Sequence, residues 1–353
     1  MSKIDINLDA TVDFLVGLLN TPSPTGYHIE AISYVKEAFE ALEMPGLSTT
    51  VINKGGLLVK LEGEANDAPI ALTAHADTLG FMVKEIKSNG RLKLMNLGGI
   101  LWGAVESSGV TIRTHDGKLF RGSVAPENTS VHVNRKIATT ERNGKTMEVR
   151  LDEKTTSVDE TRNLGIGVGD FVFVDPAVEV TESGFVRSHF LDDKAGVAVI
   201  YGAMLAIKDA GLVPPQDTYV LITNYEEVGH GGAFGFPDDL VELLAVDMGA
   251  IGAGQAGDEF SVSICAKDGS GPYDFEMTSK LRRIAAEHDI ANKVDIYVYY
   301  GSDGSAYWRA GGGARVGLVG PGVDASHAYE RTHKDSLLHT THLIARYILD
   351  SSK

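Results

Sequence analysis

Short apolar strands alternate with helices through most of this chain, and this alternation limits the folds open to it. Apolar runs at residues 70–74, 219–223 and 243–246 are typical of strands, and residues 194–210, followed by Gly211, are typical of a buried helix. The run at 70–74 is apolar on both faces, as expected of a central strand in a parallel sheet. Strands that alternate with helices predict an α/β fold, with a mostly parallel open sheet flanked by helices on both faces.

The same spacing rules predict the remaining elements of this pattern. We expect helices over residues 12–19, 29–42, 275–288 and 336–349, and strands over residues 56–61, 260–264, 296–300 and 316–319. The prolines and glycine of Thr21-Pro-Ser-Pro-Thr-Gly26 predict a loop between the first two helices.

Between residues 79 and 172 the pattern changes to short strands joined by hairpin turns. Two alternating runs meet across His115-Asp-Gly-Lys118, and Asn143-Gly144 stands between two more. Such turns join antiparallel strands, which distinguishes this stretch from the parallel sheet around it. We therefore predict a β-rich domain, residues 79–172, inserted into a main domain made of residues 1–78 and 173–353.

Composition argues against several kinds of partner. The chain has 353 residues with 32 Lys and Arg against 48 Asp and Glu, a formal net charge of −16. Because phosphate backbones and anionic membranes need basic patches, we expect neither nucleic-acid nor membrane binding. The first residues lack a basic segment followed by an apolar one, so we expect no signal peptide and a cytoplasmic location. The single Cys265 excludes an intrachain disulfide.

Acids and histidines gather where predicted strands end or a helix begins, the edge at which open α/β sheets bind ligands. They are His75, Asp77, Asp192, Asp193, Glu226, Glu227, Asp247, His327 and His333. Singly they have simpler explanations, since Asp192 or Asp193 is a good helix cap and most acidic pairs are solvated turns. Together at one edge the acids would repel one another unless a cation held them. Mixed carboxylate and imidazole ligands suit zinc or a similar divalent metal, and a bridging carboxylate permits two metals.

Four motifs resemble, in order and spacing, those of one enzyme family. They are Ala74-His-Ala-Asp-Thr-Leu-Gly-Phe-Met-Val83, Leu191-Asp-Asp-Lys-Ala-Gly196, Tyr225-Glu-Glu-Val-Gly-His-Gly-Gly-Ala233 and Val246-Asp247. The family is the dinuclear-metal aminopeptidases that form tetrahedral (TET) assemblies, which includes glutamyl aminopeptidases, and the likeness covers nearly the whole chain. It implies a fold of the zinc-exopeptidase type, with the insert forming a β-rich barrel or PDZ-like dimerisation domain.

The resemblance also implies two divalent metal ions per subunit, zinc or cobalt first and manganese as an alternative. Asp192 would bridge the ions, and the full set of implied ligands is His75, Asp192, Glu227, Asp247 and a C-terminal histidine. The family's spacing, counted from Asp303, favours His327 for the last position, with His333 as the alternative. Thr78 stands where many relatives carry an acid directly after the His-x-Asp motif.

Two catalytic residues are implied by the same resemblance. Glu226 would be the general base that takes a proton from the attacking water, and the Asp77 side chain would hydrogen-bond His75 and fix its tautomer. Glu226 and its neighbour Glu227 could take different roles because adjacent side chains leave an extended backbone in different directions.

We therefore predict a metal-dependent aminopeptidase that removes N-terminal residues from short peptides. The alternative within enzymes is a related amidohydrolase or deacylase that acts on N-acylated amino acids or small dipeptides with the same metals. A remote alternative is a non-catalytic assembly protein whose insert binds partners. The resemblance further implies a homo-oligomer built from dimers, with a tetrahedral dodecamer as the expected assembly.

Overall fold

The chain forms two compact units in the computed structural model, which describes residues 4–350. The larger unit comprises Met1–Asp77 and Ala177–Lys353, and the smaller comprises Thr78–Pro176. The smaller unit is therefore an insertion in the sequence of the larger one. Its limits differ from the predicted 79–172 by one residue at the first junction and by four at the second.

Helices and strands are numbered here along the chain. The helices are α1 Leu8–Leu19, α2 Ile29–Glu40, α3 Val158–Asn163, α4 Leu191–Asp209, α5 Phe275–Glu287, α6 Asp303–Arg309 and α7 Lys334–Ile348. The first nine strands are β1 Leu47–Val51, β2 Leu57–Leu61, β3 Ala65–His75, β4 Gly80–Ile86, β5 Leu92–Leu97, β6 Gly109–Arg113, β7 Leu119–Pro126, β8 Met147–Leu151 and β9 Phe171–Val174. The others are β10 Glu179–Val180, β11 Phe185–Ser188, β12 Gln216–Thr223, β13 Glu242–Val246, β14 Gly249–Ala250, β15 Val262–Asp268, β16 Gly271–Pro272, β17 Asn292–Ile296, β18 Arg315–Val323 and β19 Glu330–His333.

A ten-stranded mixed sheet is the core of the larger unit. Its order is β1-β2-β12-β3-β13-β18-β15-β16, with β14 beside β18 and β17 beside β15. The central strands β12, β3, β13 and β18 are parallel, whereas β1, β2 and β15 pair antiparallel with their neighbours in that order. The predicted α/β class and parallel centre are confirmed. A separate three-stranded sheet has the order β10-β11-β19.

Helices pack on both faces of the sheet. Successive side chains of the buried strands point to opposite faces, so both faces present apolar residues that a helix can cover. Leu243 and Ala245 belong to a cluster against which Tyr307 and Trp308 of α6 pack. Gly317, which points the other way, faces Met277 and Leu281 of α5. Helix α4 is buried nearly all round and packs against α1, α7 and β3. Each fully buried Leu, Ile or Val in these layers contributes about 1.5–3 kcal/mol relative to exposure.

The smaller unit contains a closed barrel of six strands in the order β4-β5-β8-β7-β6-β9. The predicted hairpin across residues 115–118 is confirmed, since β6 and β7 pair antiparallel with Arg113 opposite Leu119. The prediction for Asn143-Gly144 is wrong. Strands β7 and β8 pair across a long connection, residues 127–146, and Asn143 forms a turn just before β8 instead of joining two strands directly.

The predicted strand at residues 296–300 is displaced in the structure. Strand β17 covers Asn292–Ile296, and residues 297–302 form the connection to α6. The ring centroids of Tyr297 and Tyr300 are 5.0 Å apart, whereas Tyr299 is fully exposed. Residues three apart in a strand point to opposite faces of the sheet, so a strand could not bring these two rings together. Local β-propensity is therefore outweighed by tertiary packing in this segment.

Short elements without a strong pattern, such as β1, α3 and α6, are absent from the sequence prediction.

Within residues 4–350, no helix is long and apolar enough to cross a membrane.

The packing of α7 leads to a testable pH dependence. Burial lowers the pKa of His342 to about 4, and Arg346, His288 and His339 add to the effect. Arg346 Nε lies 3.3 Å from His342 Nε2, a contact that requires the neutral ring. The unfolded chain, with a histidine pKa of about 6.5, binds the extra proton first, so His342 destabilises the fold as pH falls from about 6.5 to 4. We expect His342→Gln to lose less stability than the wild type between pH 7 and pH 5, measured by urea unfolding. Identical losses in both proteins would contradict this.

Candidate active site

The residues singled out from the sequence, with the exception of His333, meet at the carboxyl edge of the parallel strands. His75 ends β3 and is level with Thr223, the last residue of β12, while Asp247 follows β13 directly. Ligand atoms of His75, Asp192 and Glu227 all lie within 4.8 Å of one another, and so do those of His75, Asp193 and Asp247. The register of the sheet thus brings together groups that lie far apart in the sequence.

Asp192 lies between the histidines of this cluster. Its Oδ1 is 3.3 Å from His75 Nε2 and its Oδ2 is 3.6 Å from His327 Nε2. His327 Nε2 also lies 3.7 Å from Glu227 Oε2. The five expected ligands therefore occupy one site, with a single carboxylate between the two imidazoles.

The alternative histidine, His333, has a different environment. Its Nδ1 accepts a hydrogen bond from Asp335 N at 3.1 Å, and its Nε2 lies 2.9 Å from the carbonyl oxygen of Ser183. It caps α7 and packs edge-on against Phe185. Both ring nitrogens have partners away from Asp192, so the structure does not bring His333 into the site.

Asp77 supports the site through hydrogen bonds to backbone groups, made both by its own carbonyl oxygen and by its carboxylate. Its carbonyl oxygen lies 2.8 Å from His75 Nδ1, whereas its nearest carboxylate oxygen is 3.7 Å away, so the main chain makes the contact expected of the side chain. The bond places a proton on Nδ1, so in the neutral ring Nε2 is the atom that would bind a cation. The carboxylate instead accepts from the backbone N–H groups of Glu226 and Glu227, at 3.2 and 3.4 Å, and from the Thr25 hydroxyl at 2.7 Å.

Glu226 and Glu227 lie on a single turn of 3₁₀ helix, Glu226–Val228, and not on extended backbone as expected. Side chains of a 3₁₀ helix are spaced about 120° apart, and this spacing separates the two carboxylates. The Glu227 side chain is 4 % exposed, whereas the Glu226 side chain is 16 % exposed and has Oε2 3.7 Å from His75 Nε2. Glu226 is therefore the acid that a water or substrate can reach.

Asp193, not Asp192, is the helix cap. Asp192 and Asp193 have non-helical backbone angles, and Asp193 Oδ1 accepts from Gly196 N at 3.1 Å. Its Oδ2 accepts from the backbone N–H of His75 at 3.3 Å. A side chain at Gly196 would place its Cβ 2.3 Å from Asp193 Oδ1, so this close approach requires glycine.

Two buried acids of the site were missed from the sequence. Asp303, at the start of α6, accepts from Gly232 N at 2.5 Å and from the Thr223 hydroxyl, and so holds the loop that carries Glu226. Glu330 accepts from the backbone N–H groups of Asp192 and His327, both at 3.0 Å. Neither acid belongs to a motif or ends a predicted strand. The only available signal for Glu330 was its place three residues after His327.

The acids of the site raise one another's pKa values. Burial raises the pKa of Glu226 and Glu227 well above the ordinary glutamate value, and that of Asp247 to about 8, and repulsion from Asp192 adds to all three. Burial would also raise the pKa of Asp192, but the nearby His75 and His327 lower it overall. So many buried carboxylates can all be ionised only if positive charge is supplied among them.

Three ligand atoms lack partners, which tests whether a cation fits. Within residues 4–350, His75 Nε2, Glu227 Oε1 and Asp247 Oδ1 are buried and form no hydrogen bond. Buried polar atoms are normally satisfied, and unsatisfied ones are costly. All three belong to the clusters defined above, and nitrogen with carboxylate oxygen is a donor set that zinc and related ions accept. The residues present therefore fit divalent metal binding.

The backbone is strained next to these ligands. Phe190, Tyr225, Ala325 and His327 have φ values of 73°, 75°, 59° and 66°, in the left-handed region that non-glycine residues rarely adopt. They lie within two residues of Asp192, Glu226 or His327, or are His327 itself. Such strain persists only where the surrounding structure enforces it, and it is common at functional sites.

Comparisons with known proteins agree with this geometry. Residues 55–343 match the family model for the M42 glutamyl aminopeptidase family. A Bacillus subtilis protein named "Putative aminopeptidase YhfE" is 47 % identical over 338 residues, which is 96 % of this chain and 97 % of that protein.

Solved structures share the fold at low sequence identity. A TET aminopeptidase from a marine-sediment Thaumarchaeota archaeon has a TM-score of 0.86 at 19 % identity and covers 98 % of both chains. The TET1 peptidase of Pyrococcus horikoshii, described as able to assemble into a tetrahedron or a large octahedral shell, has a TM-score of 0.83 at 20 % identity. That match covers 96 % of this chain and 99 % of the TET1 chain.

The contact between Thr25 and Asp77 leads to a matched pair of variants. Thr25→Val keeps the shape of the side chain but removes the hydroxyl that Asp77 Oδ2 accepts from, whereas Thr25→Ser keeps the hydroxyl. Because both residues are buried, we expect Thr25→Val to lower the free energy of unfolding by about 1–3 kcal/mol and Thr25→Ser by less. Urea unfolding of the two variants measures the difference. Equal stability would show that the hydroxyl does not support Asp77.

Proposed function

Because the chain belongs to the M42 glutamyl aminopeptidase family, and is therefore a hydrolase acting on peptide bonds, we propose that it removes N-terminal residues from short peptides using two divalent metal ions and Glu226. The family is metal-dependent. One observation carries the proposal, which is the convergence of the unpartnered atoms His75 Nε2, Glu227 Oε1 and Asp247 Oδ1 beside the more accessible Glu226.

Two overlapping sets of residues hold the ions in this proposal. His75, Asp192 and Asp247 form one set, and Asp192, Glu227 and His327 form the other, with Asp192 common to both. Asp193 also lies close to His75 and Asp247, but its oxygens accept the backbone N–H groups of Gly196 and His75 and so support the site. When bound, the ions polarise the scissile carbonyl and lower the pKa of the attacking water. Zinc and cobalt suit this mixed nitrogen and oxygen donor set, and manganese is the alternative.

Glu226 moves the proton. It accepts the proton of the attacking water and then donates it to the leaving amine, the usual sequence for a carboxylate general base in amide hydrolysis. Its position beside His75 and its greater exposure than Glu227 both suit this exchange. Asp77 positions Glu226 by accepting its backbone N–H, and it fixes the ring of His75 through its carbonyl oxygen.

We also propose a homo-oligomer whose dimers form through the inserted unit Thr78–Pro176. The support is the fold shared with TET1 peptidase, which is described as a tetrahedron or octahedral shell. By analogy, we expect the assembly to be a tetrahedral dodecamer. We also propose that the protein is located in the cytoplasm.

Substrate and metal dependence test the proposal together. We expect the metal-free protein to be inactive on aminoacyl chromogenic amides, and zinc, cobalt or manganese to restore activity on amides with a free α-amino group. The N-acetylated amides serve as the matched control and should be poor substrates in every metal. A preference for the blocked amides would indicate the deacylase alternative. Absence of both metal binding and activity would favour the non-catalytic assembly protein.

Replacing Glu226 separates proton transfer from metal binding. Glu226→Gln removes the basic oxygen while keeping the size of the side chain, so we expect kcat to fall by about 10²–10⁴-fold with the metal content unchanged. Glu227→Gln is the control, because it removes a proposed ligand and should lower the metal content itself. Elemental analysis and steady-state kinetics measure both quantities. Full activity in Glu226→Gln would reject its role as the base.

A further inference from the structure

Glu330 connects two segments that approach the site from different parts of the chain. It is the first residue of β19 and is 2 % exposed. One carboxylate oxygen accepts from the backbone N–H of Asp192, which is 138 residues away in sequence, and the other accepts from the backbone N–H of His327. A single side chain therefore holds the main chain at two proposed ligands.

The strands beside the two segments pair antiparallel, with Ser188 of β11 opposite Glu330 of β19, and His189 Nδ1 lies 2.8 Å from the carbonyl oxygen of Ala328. These contacts bring the segments together, and Glu330 adds hydrogen bonds at Asp192 and His327 themselves.

Asp192 has φ −76° and ψ 106° within the first turn of α4, outside the helical range. His327 has a positive φ and a side chain that is 35 % exposed, so the packing around its ring is limited. Ser326, from the same loop, donates its hydroxyl to Asp192 Oδ2 at 2.9 Å. Asp192 is thus held at its backbone by Glu330 and at its carboxylate by Ser326.

The carboxylate of Glu330 is satisfied by backbone N–H groups and not by a cation. Among residues 4–350, no lysine or arginine nitrogen lies within ion-pair distance of it. By contrast Glu242, a comparably buried acid at the start of β13, pairs with Lys280 and Arg315 and accepts from the Tyr347 hydroxyl. A buried carboxylate without a cation is costly, so its presence here needs a reason other than general stability.

We propose that Glu330 is a positioning residue that sets the separation of Asp192 and His327, and thereby allows both to bind one metal ion. The inference rests on the proposed function, because it assumes that these two residues are ligands. Glu330 itself touches neither the ion nor the substrate. Its two carboxylate oxygens match the two N–H groups, and no other residue type of this length offers two acceptors.

The test compares Glu330→Gln with Glu242→Gln. Each variant neutralises one buried glutamate, but only the first presents an amide NH₂ to a backbone N–H of the site. We expect Glu330→Gln to weaken the binding of one of the two ions by about 10–100-fold, the usual effect of changing a residue that orients a ligand. Glu242→Gln should lower the melting temperature and leave metal affinity unchanged. Cobalt titration of the metal-free proteins, followed by calorimetry and by the visible absorption of the bound ion, measures affinity without an activity assay.

A double-mutant comparison shows whether the effect passes through His327. In a His327→Ala background, Glu330→Gln should weaken metal binding by much less than it does in the wild type, because one of the two ligands whose separation Glu330 sets is gone. Should Glu330→Gln not fold, Glu330→Asp carries the test, since it keeps the charge but withdraws it by one methylene. Unchanged affinity in the folded variant, or equal weakening with and without His327, would overturn the inference. Failure of the wild type to bind cobalt would instead reject the proposed function.

Discussion

Repulsion among buried carboxylates is the constraint on which the rest of this site depends. Eight acids meet at the carboxyl edge of the sheet: Asp77, Asp192, Asp193, Glu226, Glu227, Asp247, Asp303 and Glu330. Six of them divide into two groups by what their oxygens contact. Asp77, Asp193, Asp303 and Glu330 accept backbone N–H groups and so hold the loops in place. Glu227 and Asp247 instead keep an unpartnered oxygen directed into the cluster.

This division explains how residues at the ends of a few strands are held in one defined geometry. The register of β3 against β12 and β13 sets the approximate positions of His75, Glu227 and Asp247. The supporting carboxylates then fix the loops to within a hydrogen-bond length, because each acceptor holds a specific N–H group. Support of this kind from outside the ligand set is what keeps a metal site in its working geometry.

The sequence was sufficient for the central strands and for most of the acids and histidines that meet at their ends, but not for the groups that support this cluster. Central strands such as β3 and β13 carry a continuous apolar signal, and the motif acids stand beside them. Asp303 and Glu330 carry no local signal, because their partners are backbone groups far away in the sequence. The same limit applies to Asp77, whose carbonyl oxygen makes the contact with His75 that was expected of its side chain, while the carboxylate accepts the backbone N–H of Glu226. Contacts between side chain and distant main chain appear only once the topology is known.

The backbone strain at Phe190, Tyr225, Ala325 and His327 has a consequence for laboratory evolution. A left-handed conformation costs a non-glycine residue roughly 1–2 kcal/mol, and glycine at these positions would avoid most of that cost. Selection of random variants for thermal tolerance alone would therefore favour glycine or asparagine at Ala325 and His327, which are not buried, whereas the buried ring of Phe190 would be kept for its packing. Selection that also demands turnover would keep His327 as well. The positions at which the two selections diverge would map the working parts of the enzyme without any knowledge of its substrate.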